Sequence, residues 1–281
     1  HARRLTGFRL LAFQSDYTNH IHSGAYLFTP EARTWQIFRT LQAGNQTPVS
    51  VTIPSVRTIG KLCQSISHQL MMDSTAIASL LTDSTYCASL GYNAYTLPAL
   101  FIPNTYEVYW NTSCKDFIKR MQKEHQRFWN EKRTAQAKAI GLTPTEVSTL
   151  ASIVDEETAN QAEKPIVAGL YINRLKANML LQADPTVKFG LQEFGLRRIL
   201  YKHLETDSPY NTYIYKGLPP GPIRIPSIQG LESVLNYSHH DYLYMCAKED
   251  FSGTHNFART MSQHLANARR YQQALNRRNI R

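Results

Sequence analysis

Three consecutive carboxylates, Asp155-Glu156-Glu157, stand near the end of a segment with strong helix signals. A carboxyl that is partly removed from water resists ionisation, so it can hold a proton near neutral pH and act as a general acid. Thr143 can cap the segment, Pro144 fits its first turn, and Glu146 completes a capping box. Val147, Leu150, Ala151, Val154 and Thr158 then recur at helical spacing and define one apolar face. At about 100° per residue, Glu156 falls nearly opposite that face and is expected to be solvated. Glu157 falls beside Leu150 on one flank, and Asp155 falls on the other. Either flanking carboxyl could be half-dried, and helix geometry alone does not separate them. An ordinary acidic surface cluster fits the same pattern.

The remaining reactive side chains form weaker constellations. His239-His240-Asp241, and His255 with His264, invite a metal reading, but there is no HExxH and nothing fixes three ligands together. No metal or other cofactor is expected. GxSxG is absent, which removes the serine-hydrolase elbow, and no Gly-rich phosphate loop occurs. Cys63, Cys87, Cys114 and Cys246 are scattered without a CxxC and are expected to be unpaired, small apolar residues.

The elements that must position these groups read as mixed α and β. Residues 1–48 suggest short strands and turns around a helix, with strand-like content over 20–28. Val49 to Ile53 alternates as a strand, and helices follow from Thr58 and over 74–81. Phe117, Met121 and Phe128 fit one face of a long helix running to about Ala139. A third helix spans roughly Lys164 to Lys176. Residues 182–230 are Pro-rich and polar, the composition of a connection that lines a site. Tyr242 to Ala247 reads as a buried strand, and the last helix covers about Ser262 to Asn276.

Composition bounds the rest. The 281 residues are 42% hydrophobic and 11% aromatic, which excludes a disordered chain. The formal charge of +10 admits a polyanionic partner, but Arg269, Arg270, Arg277, Arg278 and Arg281 supply much of the excess. Without a zinc finger, RNA-binding signature or recognition helix, nucleic acid is not the expected partner. No apolar run is long enough for a membrane span. The chain opens at His1 with neither Met nor leader, so an N-terminal anchor or signal could have been removed.

Several ordered blocks resemble one family. Leu150-Ala151-Ser152-Ile153-Val154-Asp155-Glu156-Glu157-Thr158 is followed by Val167-Ala168-Gly169-Leu170-Tyr171-Ile172-Asn173-Arg174-Leu175. Then come Leu181-Gln182-Ala183-Asp184-Pro185-Thr186-Val187, Tyr210-Asn211-Thr212-Tyr213, and Gly217-Leu218-Pro219-Pro220-Gly221-Pro222-Ile223. Together they resemble the YceG-like (MltG) endolytic murein transglycosylases. Phe101 to Tyr106 upstream, and His255-Asn256-Phe257 with His264 downstream, are similar to further family blocks. Departures are Asp155 in place of the usual Glu, Asn104 in place of Asp, and Lys188-Phe189.

The resemblance implies an α+β protein in two parts. Residues 1–102 would contain a LysM-like module (about 49–100, best matched from Val49 to about Leu81), and 103–281 would form the catalytic domain. It implies cleavage of the β-1,4 bond between N-acetylmuramic acid and N-acetylglucosamine, leaving 1,6-anhydro ends. Glu157 would serve as general acid and then base. Gln182, Asp184, Thr186, Asn173, Asn211 and Tyr213 would meet the glycan, although Asp184-Pro185 and Asn173-Arg174 fit structural roles equally well. Implied partners are peptidoglycan strands and cell-wall synthases. The implied placement is a single-pass inner-membrane protein facing the periplasm, through an N-terminal helix absent from this chain. The alternative is a non-catalytic peptidoglycan-binding scaffold of the cell-wall synthesis machinery.

Overall fold

Short polar side chains start most of the helices. Thr58, Asp73, Asp83, Ser113, Asn130, Thr143, Ser227 and Thr260 each accept a hydrogen bond from a backbone N–H in the following turn, satisfying donors that a helix N-terminus leaves unpaired. A computed structural model describes residues 5–196 and 199–278. Arg281 of the basic C-terminal group lies outside them.

The N-terminal helices α1 (Thr6–Gln14) and α2 (Thr34–Gln42) enclose a small cluster of Ala12, Tyr17 and Phe38. No strand occurs among the described residues of this segment, contrary to the expectation over 20–28. Strand β1 (Val49–Thr52) is followed by α3 (Ile59–Ser67), α4 (Ser74–Thr82) and α5 (Ser84–Ser89). It pairs antiparallel with β2 (Thr105–Val108), in register Val49 to Val108 and Thr52 to Thr105. The pairing crosses residue 102. The core beneath it also recruits Phe117, Ile118 and Met121 from α6 (Cys114–Phe128).

The expected long helix beyond Ser113 is two helices. It stops at Phe128, and α7 (Glu131–Ile140) restarts after Asn130, whose side chain caps the new helix. The larger core gathers α7, α8 (Pro144–Glu157), α9 (Lys164–Lys176) and α12 (Ile228–Leu235). The Pro-rich stretch between α9 and α12 holds two short helices, α10 (Asp184–Leu191) and α11 (Tyr201–Leu204). Hairpin β3 (Tyr244–Ala247) and β4 (His255–Ala258) lies under α13 (Met261–Arg277). The architecture is therefore mixed and predominantly helical, with two small antiparallel strand pairs among the described residues.

One expectation is corrected by the helices themselves. Among the described residues no helix is long and apolar enough to cross a membrane, so the single-pass inner-membrane placement does not hold for them. The longest, α13, has 17 residues and is rich in Arg, Gln and Asn.

Candidate active site

Helix α8 carries the three carboxylates on its last turn. Its capping box forms as expected: the Thr143 N–H donates to Glu146 Oε2 at 2.7 Å and the Glu146 N–H to Thr143 Oγ1 at 3.3 Å. Val147 through Val154 are all buried, so the helix is enclosed on every face rather than along one stripe. Ser148, Thr149 and Ser152 tolerate this because their hydroxyls donate to carbonyls of the preceding turn.

Each carboxylate then meets a different environment. Asp155 accepts from Lys164 Nζ at 2.5 Å, from the Ser227 N–H at 2.6 Å and from its hydroxyl at 2.8 Å. It is a structural ion pair between α8, α9 and the start of α12. Glu156 was expected in solvent, yet its side chain is only 10% exposed. Arg57 grips it with Nε and Nη2, at 2.8 and 2.6 Å, and Arg224 Nη1 adds a third contact at 2.9 Å. Residues from the β1–α3 connection cover the face that helix periodicity assigns to water.

Glu157 faces a cavity of about 230 Å³. Leu170, Tyr171 and Arg174 of α9 form one wall, with Gln182, Asp184 and Tyr213 beside them and the tips of β3 and β4, including His255, opposite. The carboxyl is densely surrounded by protein but keeps an open edge toward this space. Tyr171 donates its hydroxyl to Glu157 Oε1 at 2.6 Å. Burial pushes the Glu157 pKa up to about 7; the Tyr171 hydrogen bond, His255 and Lys188 oppose the shift and Asp184 adds to it. The site therefore offers a group that can hold or release a proton near neutrality.

The walls are braced from outside. Arg174 is buried and donates to the carbonyls of Leu180, Leu181 and Leu243. It also reaches Gln182 Oε1 at 3.1 Å. Gln182 sits at φ 52°, a left-handed backbone that L side chains seldom adopt. Its N–H to the Thr212 carbonyl at 3.0 Å holds it there. Tyr213 donates to Asp184 Oδ1 at 2.6 Å, and burial with that carboxylate keeps its phenol protonated far above the ordinary range. Asp184 and Tyr213 also line an adjacent opening of about 340 Å³ beside Leu200 and Tyr201.

Of the residues named from sequence, Glu157, Gln182, Asp184 and Tyr213 meet at this cavity. The other three lie elsewhere. Thr186 is buried, donating to the Ala183 carbonyl and bonded to the Thr212 hydroxyl. Asn211 donates to the carbonyls of Leu204 and Thr206 and accepts from the Tyr213 N–H. Asn173 donates to the carbonyls of His240 and Tyr242. Each of these three fixes a loop that shapes the cleft. Tyr171 and Arg174 were not singled out for the site. They stand 14 and 17 residues beyond Glu157, across a helix break, a separation that no sequence period encodes.

A family model described as YceG-like matches residues 2–270. The chain belongs to the YceG-like family. It is 38% identical over 154 residues to an endolytic murein transglycosylase of Bacillus subtilis, covering 55% of this chain and 42% of that one. It is 27% identical over 271 residues to one from Streptococcus pneumoniae strain D39, covering 85% of this chain and 49% of that one. The chain thus spans half or less of the length of these curated relatives. A crystal structure of a yceG-like protein from Listeria monocytogenes superposes with a TM-score of 0.67 at 26% identity, covering 92% of this chain and 89% of that one. This YceG-like chain shares their homology at moderate identity.

Proposed function

We propose that this protein is an endolytic lytic transglycosylase that cleaves the bond between N-acetylmuramic acid and N-acetylglucosamine in peptidoglycan strands. The observation that carries the reading is the buried carboxyl of Glu157, its pKa pushed up to about 7, at the edge of a cavity and hydrogen-bonded by Tyr171. In the first step Glu157 protonates the departing glycosidic oxygen and becomes a carboxylate. In the second it takes the proton of the muramic C6 hydroxyl as that oxygen attacks the anomeric carbon. The bond to the leaving sugar breaks, the 1,6-anhydro bond forms, and Glu157 ends protonated. Because the attacking hydroxyl is part of the bound substrate, proximity replaces an activated water.

Gln182, Asp184 and Tyr213 contact the sugars in this reading, and Asn173, Thr186 and Asn211 hold the loops that present them. The adjacent opening beside Leu200 and Tyr201 suits a strand bound along its length. We further propose that the segment of about 49–100, with β1 and helices α3 to α5, is the LysM-like module, supported by a strand followed by short helices. Cell-wall synthases are the protein partners this reading implies.

Mass spectrometry of murein digests tests the proposal. The expected products carry 1,6-anhydromuramyl ends, and Glu157→Gln abolishes them while the fold survives. Reducing muramic ends would instead assign hydrolysis, with Asp184 as the second carboxylate of the cavity.

A further inference from the structure

Glu163, just before α9, holds His255 by two points at once. Its Oε1 accepts the His255 backbone N–H at 2.6 Å, and its Oε2 lies 2.9 Å from His255 Nδ1. The Thr158 hydroxyl donates to the same Oε2 at 3.0 Å. The side chains are only 8% and 17% exposed. Anchoring the start of β4 would need the backbone contact alone. The additional ring contact fixes the rotation of the imidazole and occupies Nδ1, leaving Nε2 as its free nitrogen. His255 also lines the Glu157 cavity.

We propose that Glu163 and His255 form a second functional pair of this cleft. Glu163 is a positioning residue, and His255, its Nδ1 held by that carboxylate, turns Nε2 to the cavity and balances the negative charge Glu157 acquires when it gives up its proton. The inference rests on the transglycosylase reading above. No bond is made or broken at His255. The Glu157 proton goes to the leaving oxygen and is replaced from the C6 hydroxyl.

The other charged and titratable groups around the cleft are Tyr171 and Arg174 on α9, Asp184 and Lys188 on α10, Tyr213, and Cys246 on β3, whose thiol pKa burial raises. Arg174 is committed to backbone carbonyls. Tyr171 and Tyr213 remain neutral phenols. Asp184 disfavours a Glu157 carboxylate, whereas His255 and Lys188 favour it.

The test compares the full chain with its His255→Gln and Glu163→Gln variants, following product release against pH. Both variants should lose about tenfold in kcat with little change in KM. The alkaline limb of the profile should move upward by about one unit, as expected for a carboxyl that loses a nearby cation. Lost rate with an unmoved limb would reduce the pair to a β4 anchor and overturn the proposal, as would an unchanged rate. Should the variants fail to fold, 15N NMR of the wild-type ring decides the matter: both ring nitrogens protonated through the active pH range supports the pair, and a neutral ring overturns it. A wild-type chain that releases no product would sink the transglycosylase reading instead, and the NMR result would still judge the pair's geometry and charge.

Discussion

Replacing Tyr171 by Phe isolates the contact that most directly tempers Glu157. Among the described residues, the Tyr171 hydroxyl is the one hydrogen-bond donor to that carboxyl. A hydrogen bond to a charged group contributes about 1.5–3 kcal/mol, and about 1.4 kcal/mol corresponds to one pKa unit. The bond favours the ionised form, so its loss should raise the Glu157 pKa from about 7 by roughly one to two units. The alkaline limb of the pH–rate profile should move upward by the same amount. Below that limb the rate should fall roughly 10- to 100-fold, because the carboxylate formed on proton release has lost its partner. The buried ring remains, and melting curves should show a folded protein. The assay is release of anhydromuramyl products from purified glycan strands across the neutral range. A full rate with an unmoved alkaline limb would show that Glu157 is not the group whose titration governs the reaction.

Two further outcomes concern stability. The carboxyl of Glu157 lies at about 7 in the folded chain against an ordinary 4.5, so the native state binds more protons than the unfolded state between those values. Stability contributed by the protonated form is complete at the acid end of that window and declines as pH rises through it. Glu157→Gln, which has no such dependence, should therefore gain in unfolding free energy relative to wild type across the window and level off above it, by at most about 3 kcal/mol, read by denaturant unfolding at several pH values. Asp155→Asn should cost about 3–5 kcal/mol in denaturant unfolding, because it strands the Lys164 ammonium in a nearly dry site whose side chains are 3% and 10% exposed.

Local chemistry explains what the sequence makes legible. The capping box at Thr143 sets the start of α8, and α9 spans Lys164–Lys176 as its pattern predicts, because both signals depend on neighbouring residues. The break at Trp129-Asn130 escapes the apolar periodicity because Phe128 continues the pattern while the cap on Asn130 interrupts the backbone. Glu156 shows the larger limit. Helix geometry points it away from the apolar face, but Arg57 arrives from 99 residues upstream and covers it. Glu157 becomes distinguishable from Asp155 only when Lys164 and Ser227 engage one and Tyr171 the other. Loop-fixing Asn211 and cleft-lining Tyr213 stand two residues apart in one block, and only the folded turn separates their work.

The pairing of β1 with β2 has a practical consequence for anyone dividing this chain. A fragment beginning at residue 103 would keep β2 but lose its hydrogen-bonding neighbour, leaving an open edge able to recruit other chains. It would also bare Phe117, Ile118 and Met121, which are buried against the first half, and strip Glu156 of its Arg57 contacts. Such a fragment should aggregate on expression rather than yield a minimal enzyme, so a cut intended to isolate the Glu157 cleft belongs before Val49.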